Sequence, residues 1–152
     1  MQLAGLEAAL LIKVAEAVGG TNLLAVGECA QAPPIDAKEK WNDTGIELVS
    51  GHEYRFTSTG RWTDWWIECD TEGYDGPNPI LKAAEGLRHS SRSRWFALLG
   101  ATNKNKRTQF EIGAERTLSA PASGTLTCFA NDLSLMYWNN SGSVQLSIKR
   151  TR

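Results

Sequence analysis

Near the amino terminus Leu3, Leu6, Leu10, Val14 and Val18 recur every three or four positions among strong helix formers, and Gly19-Gly20 closes the run. The spacing predicts one amphipathic helix over positions 2–18, about four to five turns long. Such a helix either covers the open end of its own domain or serves as an oligomerisation arm, and a homo-oligomer is the expected state. Further on, Pro33-Pro34 disfavours helix at and before itself. A boundary is therefore expected near Ala37 or Lys38, dividing a helical extension and linker (1–37) from a main domain (38–152).

After Trp41 the period changes to two. Tyr54 and Phe56 alternate with Arg55 and Thr57, and Val144, Leu146 and Ile148 alternate with Ser143, Gln145, Ser147 and Lys149, each set marking a half-buried strand. Further strands are expected over 46–49, 62–67, 95–99, 108–112 and 125–130, separated by Gly, Asn, Ser and Pro clusters. Seven or eight short strands without an intervening strong helix predict an antiparallel sandwich. The connection from Asp70 to Arg94 is long for a compact domain, and loops of that kind are often functional.

Composition narrows the function. Sixteen basic against seventeen acidic residues leave a net charge of −1, so no overall field recruits a polyanion, and no nucleic-acid partner is expected. The basic clusters Arg88–Arg94 and Lys104–Arg107 are expected to be solvated surface. Cys29, Cys69 and Cys128 are irregularly spaced, with only His52 and His89 to help ligate zinc, which argues against a zinc site and a dense disulfide framework. Glu7, Lys13 and Glu16 interrupt the N-terminal apolar stretch, so neither a signal peptide nor a membrane span is expected. Residence in the cytoplasm is the default, with export by another route left open. No catalytic pattern such as GxSxG or HExxH occurs, and a non-enzymatic role is expected.

The most informative segment is the loop expected between the last two well-marked strands, which gathers Asn131, Asp132, Asn139 and Asn140. Calcium takes about six to eight oxygen ligands from carboxylates, amide carbonyls and backbone carbonyls. Asp132 offers two oxygens, Asn139 and Asn140 one each, and a backbone carbonyl between them another, leaving positions for an external ligand. With a single carboxylate the expected affinity is weak, at roughly 10⁻⁴ to 10⁻³ M. Asn and Asp are also ordinary turn formers, so spacing leaves both interpretations open.

Asn131-Asp132, then Tyr137 and Asn139-Asn140-Ser141-Gly142, followed by an alternating strand, resembles the calcium loop of the PA-I-like family of small galactose-binding bacterial lectins. The likeness extends upstream through Ala120-Pro121 and the 125–130 strand, and thinly to Gly100 and the 95–99 strand. It implies an all-β jelly-roll sandwich of the galactose-binding-domain type, a bound calcium ion, and a galactose-like sugar whose two hydroxyls complete the coordination sphere. Carried over by position, Asp132 becomes the bidentate carboxylate, Asn139 and Asn140 the amide-oxygen ligands, and Met136 a ligand through its backbone carbonyl. The remaining ligand is a backbone carbonyl in an earlier loop, matched by the Gly60–Trp65 stretch. Asp64 is assigned there, with Trp65 as the alternative, and the Asp64 side chain would add a second negative charge. The family's sugar-selecting His and Gln have no assigned counterpart within 70–94.

Aromatic rings stack on the CH-rich faces of sugars, so Trp138, next to Asn139, and Trp65, at a loop end, join Asp132 and Asn139 as expected carbohydrate contacts. Trp62 and Trp66 share a strand face and are expected to pack in the core. The competing functional class is a non-catalytic assembly domain in which the same loop is only a structural turn.

Overall fold

The structure, a computed structural model, describes residues 12–14, 22–76 and 84–152. In chain order its strands are β1 (Ile12–Val14), β2 (Asn22–Leu23), β3 (Cys29–Gln31), β4 (Ile35–Asp36), β5 (Asn42–Leu48), β6 (Glu53–Thr59) and β7 (Arg61–Asp64). There follow β8 (Ile67–Asp70), β9 (Leu98–Thr102), β10 (Phe110–Glu111), β11 (Glu115–Ser119), β12 (Gly124–Ala130) and β13 (Asn140–Arg150). Short 3₁₀ turns occupy Glu85–Leu87, Lys106–Thr108 and Tyr137–Asn139.

Alternation decides which faces meet. Tyr54, Phe56 and Ser58 of β6 and Val144, Leu146 and Ile148 of β13 turn inward, as the period-two pattern predicts. They meet Ile46 and Leu48 of β5, Leu98 of β9, and Leu126, Cys128 and Ala130 of β12 in one core. Two sheets result: β1-β3-β13-β6-β11 with β4, β7 and β8 joined through β13, and β10-β9-β12-β5-β2. This is the all-β sandwich expected from the sequence. Two pairs, β1 with β3 and β2 with β5, are parallel and sit at sheet edges, whereas the other strand pairs run antiparallel. β9 is buried along its whole length. Its inward residues enter the main core, while Leu99 and Ala101 pack with Phe129 and Trp41 in a small cluster on the other face.

Several expectations are corrected. Most of the helix expected over 2–18 lies outside the described residues. Within them, Ile12–Val14 is a strand in parallel register with Cys29–Gln31. The open backbone groups of an edge strand are a template for pairing, and β-branched Ile12 and Val14 suit it. The boundary expected near residue 37 falls inside the sandwich, because β2, β3 and β4 pair with β5 and β13. The single strand expected over 62–67 is a hairpin, β7 and β8, turning at Trp65-Trp66. The strand expected over 95–99 begins only at Leu98, since buried Phe96 takes a left-handed φ of 62°. A 3₁₀ turn takes up the start of the strand expected over 108–112. All three cysteines are free thiols. Among the described residues no helix is long and apolar enough to cross a membrane.

Candidate functional site

The site lies where the β7–β8 turn meets the loop between β12 and β13. Asn140, the first residue of β13, pairs with Asp64 at the end of β7, and the backbone N–H of Trp65 donates to the carbonyl of Asn139 at 3.2 Å. A two-residue turn puts its first central residue at positive φ. Trp65 adopts 56° there, and Trp65 and Trp66 are thrown outward, 64% and 66% exposed. Trp66 therefore does not share the core with Trp62, which is 1% exposed. The turn reverses the alternation that an uninterrupted strand would have kept.

The loop after β12 is anchored by Asn131, which is wholly buried. Its amide nitrogen donates to the carbonyls of Ser90, Ser93 and Arg94, and its Oδ1 accepts from the Ser90 N–H. This ties the far end of the long 70–94 connection to the sheet and fixes the position of the next residue. Asp132 is 3% exposed. Its Oδ1 accepts from the Leu133 N–H at 2.7 Å, and its Oδ2 from Asn140 Nδ2 at 3.0 Å.

Asn140 Nδ2 also donates to the Ala37 carbonyl at 3.0 Å. Since both partners are acceptors, the nitrogen must face them, and Oδ1 must face away. That Oδ1, and the Oδ1 of Asn139, are buried and receive no hydrogen bond. Buried amide oxygens without donors are uncommon and call for an ordered water or a bound cation.

The second carboxylate is Asp64, whose Oδ2 accepts from the Tyr74 hydroxyl. Tyr74 is held in place by Gly73, at φ 79°, where a Cβ would lie 2.2 Å from the Trp95 carbonyl. Only a residue without a side chain lets Tyr74 N–H reach that carbonyl, at 2.8 Å. Burial, then the negative charge of Asp64, push the Asp132 carboxyl up to about 6. Burial also raises Asp64, partly offset by the Tyr74 hydrogen bond. Two desolvated carboxylates repel each other and disfavour their charged forms, and a cation between them relieves both penalties.

Asp64, Tyr74, Asp132 and Asn139, but not Asn140, line one cavity of about 320 Å³. Asp64, Asp132 and Asn139 supply its polar end, and the rest of its lining includes Trp65, Trp66, Tyr74, Trp95, Leu133 and Met136. The structure thus brings Asp64, Trp65, Asp132, Met136 and Asn139 to one place, with Asn140 bonded behind them. Trp138, 71% exposed, stands in the same loop but does not line the cavity. No group of three or more His, Cys, Asp and Glu side chains suited to a metal occurs among the described residues. A cation here would depend on amide and backbone oxygens beside the two acids.

Tyr74 and Trp95 were not anticipated, because both lie at the edges of the irregular 70–94 connection, where no periodicity marks them. The turn dipeptide Trp65-Trp66 also gives no ordinary turn signal. His89 is enclosed by the rings of Trp41, Phe129 and Tyr137, outside the cavity. Burial, followed by Lys106 and Lys40, lowers its pKa to about 4, so it is neutral near pH 7.

Among solved structures, the chain is similar to the N-terminal domain of EclA, described as a PllA-like lectin, with a TM-score of 0.59 and 20% identity. The match covers 80% of this chain and 97% of that one. At this identity the likeness shows a common fold, the jelly-roll sandwich expected from the sequence. No family model matches the chain, and no curated protein matches it.

Proposed function

We propose that this protein is a non-catalytic, calcium-dependent carbohydrate-binding module. The observation that carries it is the convergence on one cavity of two desolvated carboxylates, Asp64 and Asp132, with Asn139, whose buried amide oxygen lacks a donor, while Asn140 is bonded to Asp132 behind them. This oxygen-only donor set fits a hard cation. Asp132, Asn139 and Asn140 would hold it by their side chains, Met136 by its carbonyl, and Asp64 by its carboxylate or by a carbonyl of the Asp64–Trp65 turn. Bound there, the ion supplies free coordination positions to the adjacent hydroxyls of a vicinal diol. The second carboxylate gives the site more charge than the Asx loop alone. The lectin with the same fold supports carbohydrate as the ligand class, and the exposed rings of Trp65, Trp66 and Trp138 supply surfaces for sugar faces. Galactose is the first sugar to test.

A glycan array probed in millimolar calcium and again in chelator tests ligand class and ion dependence together. The expected result is retention of galactose-like or other diol-bearing glycans that disappears with chelator. Binding of no glycan in either condition refutes the proposal and favours an assembly domain.

A further inference from the structure

Large apolar side chains that face water are unevenly placed over this molecule. Among the described residues seven are exposed, and five of them, Trp65, Trp66, Leu87, Leu135 and Trp138, belong to the segments that frame the cavity mouth. Trp65 and Trp66 form the tip of the β7–β8 hairpin, their ring centroids 3.9 Å apart. Leu135 and Trp138 stand on the neighbouring loop, whose Asn139 carbonyl accepts from the Trp65 N–H. Leu87 directly precedes Arg88, which bridges to Leu133 of that same loop. Exposure across the five runs from 64% to 84%.

An apolar patch of this kind is costly in water and marks a contact surface. Its shape favours one partner. Anchoring rings at protein interfaces fill matched pockets, whereas these side chains stand clear of their neighbours on turns. A lipid surface accepts protruding apolar tips without a matched pocket, and indole rings, apolar with one polar N–H, settle where acyl chains meet headgroups.

The surrounding charge is complementary to such a surface. The Arg88 guanidinium donates to the carbonyls of Ser90, Ser91 and Ser93, none of them charged. Arg92 is exposed and makes no ion pair among the described residues. Lys40 and Lys106, both exposed, lie close enough to act on His89, which packs against Tyr137 of the same loop. Of the acids nearby, Asp64 and Asp132 lie within the cavity and Asp75 is paired with Arg94. Outside the ion site the rim is therefore cationic, as phosphate-bearing headgroups require.

We propose that this rim seats the protein on an anionic lipid surface. Trp65, Trp66, Leu87, Leu135 and Trp138 enter the boundary between headgroups and acyl chains, while Arg92, Lys40 and Lys106 meet lipid phosphates. The contact is peripheral and spans nothing. It stands apart from the sugar reading, because neither a glycan nor a metal ion takes part.

Co-sedimentation of the full chain with glycan-free vesicles in chelator tests this, using phosphatidylcholine alone and phosphatidylcholine with about 30% phosphatidylserine. Retention is expected on the mixed vesicles and much less on the neutral ones, with tryptophan emission shifted to shorter wavelength and quenched by brominated lipid. Leu87→Ser and Leu135→Ser, both surface changes outside the cavity, are each expected to weaken partitioning at least about threefold. Arg92→Gln is expected to weaken it about fivefold on the mixed vesicles. No retention on the mixed vesicles overturns the inference and leaves calcium-dependent sugar binding to its own test. Retention without a change in tryptophan emission, or undiminished in both leucine variants, overturns it as well. A concentration-dependent dimer in sedimentation velocity, with no vesicle binding, assigns the patch to a second copy of the chain and also overturns it.

Discussion

Asp132→Asn replaces a buried carboxylate by an amide of the same shape, and its effect on stability is expected to depend on calcium. Burial and the nearby Asp64 raise the carboxyl to about 6 from an ordinary 3.8. A group raised in this way stabilises the fold while protonated. That contribution is complete below the unfolded-state value and is lost as pH rises through about 6, so at about pH 7.5 the ionised group costs roughly 3 kcal/mol. The amide removes this cost. It also turns an NH₂ toward Asn140 Nδ2, which donates to Asp132 Oδ2 in the wild type, a conflict of about 1–2 kcal/mol. In chelator the variant is therefore expected to be about 1–2 kcal/mol more stable, raising the melting temperature by about 2–8 °C for a chain of this size.

In about 10 mM calcium the gap closes or inverts. An ion bound at roughly 10⁻⁴ to 10⁻³ M stabilises the wild type by about 1.4–2.7 kcal/mol, and the variant, lacking a charged ligand, gains little. Thermal melts of both proteins in chelator and in calcium provide the four numbers needed. The reasoning fails if both proteins gain equally from calcium, or if the variant is the less stable of the two in chelator.

Two further predictions concern the same rim. Protons compete with the ion for Asp132, which faces Asp64, Tyr137 and Asn140, so calcium affinity is expected to fall as pH drops through about 6. Titration calorimetry in buffers of different ionisation enthalpy should detect proton release at about pH 5.5 and little at about pH 8, and an affinity that stays flat across this range contradicts it. Asn131→Ala removes the wholly buried amide that holds Ser90, Ser93 and Arg94, and urea denaturation is expected to show a loss of about 3 kcal/mol or more. A loss below about 1 kcal/mol would show that the loop does not depend on it.

The strands that read clearly from the sequence are those with one buried face, β6 and β13, because alternation is a local record of burial. β9 is offset from the strand expected over 95–99 because it is covered on both faces, which removes the alternation, and because Phe96 departs from extended geometry just before it. Trp66 departs from its expected core position for a related reason: two bulky aromatics in a two-residue turn contradict ordinary turn chemistry, so only tertiary pairing reveals the reversal. At the site, Asp132, Asn139 and Asn140 stood out because they lie close together in sequence. Asp64 stood out only through the resemblance of an earlier loop. Tyr74 and Trp95 reach the cavity through a glycine-dependent backbone contact between distant segments, and a linear pattern carries no trace of such a contact.

β13 pairs with Asp64, Thr63 and Trp62 at one end and with β3 and β6 further along. Side chains of a strand alternate between faces, so shifting this ribbon by a single residue would aim Asn140 at solvent and carry Ser141 into its place. The alignment of the binding rim is thus set by hydrogen bonds spread along the whole ribbon, many of them far from any ligand. Substitutions near Ile148 that loosen the ladder should blunt recognition at the opposite end without touching a single coordinating atom.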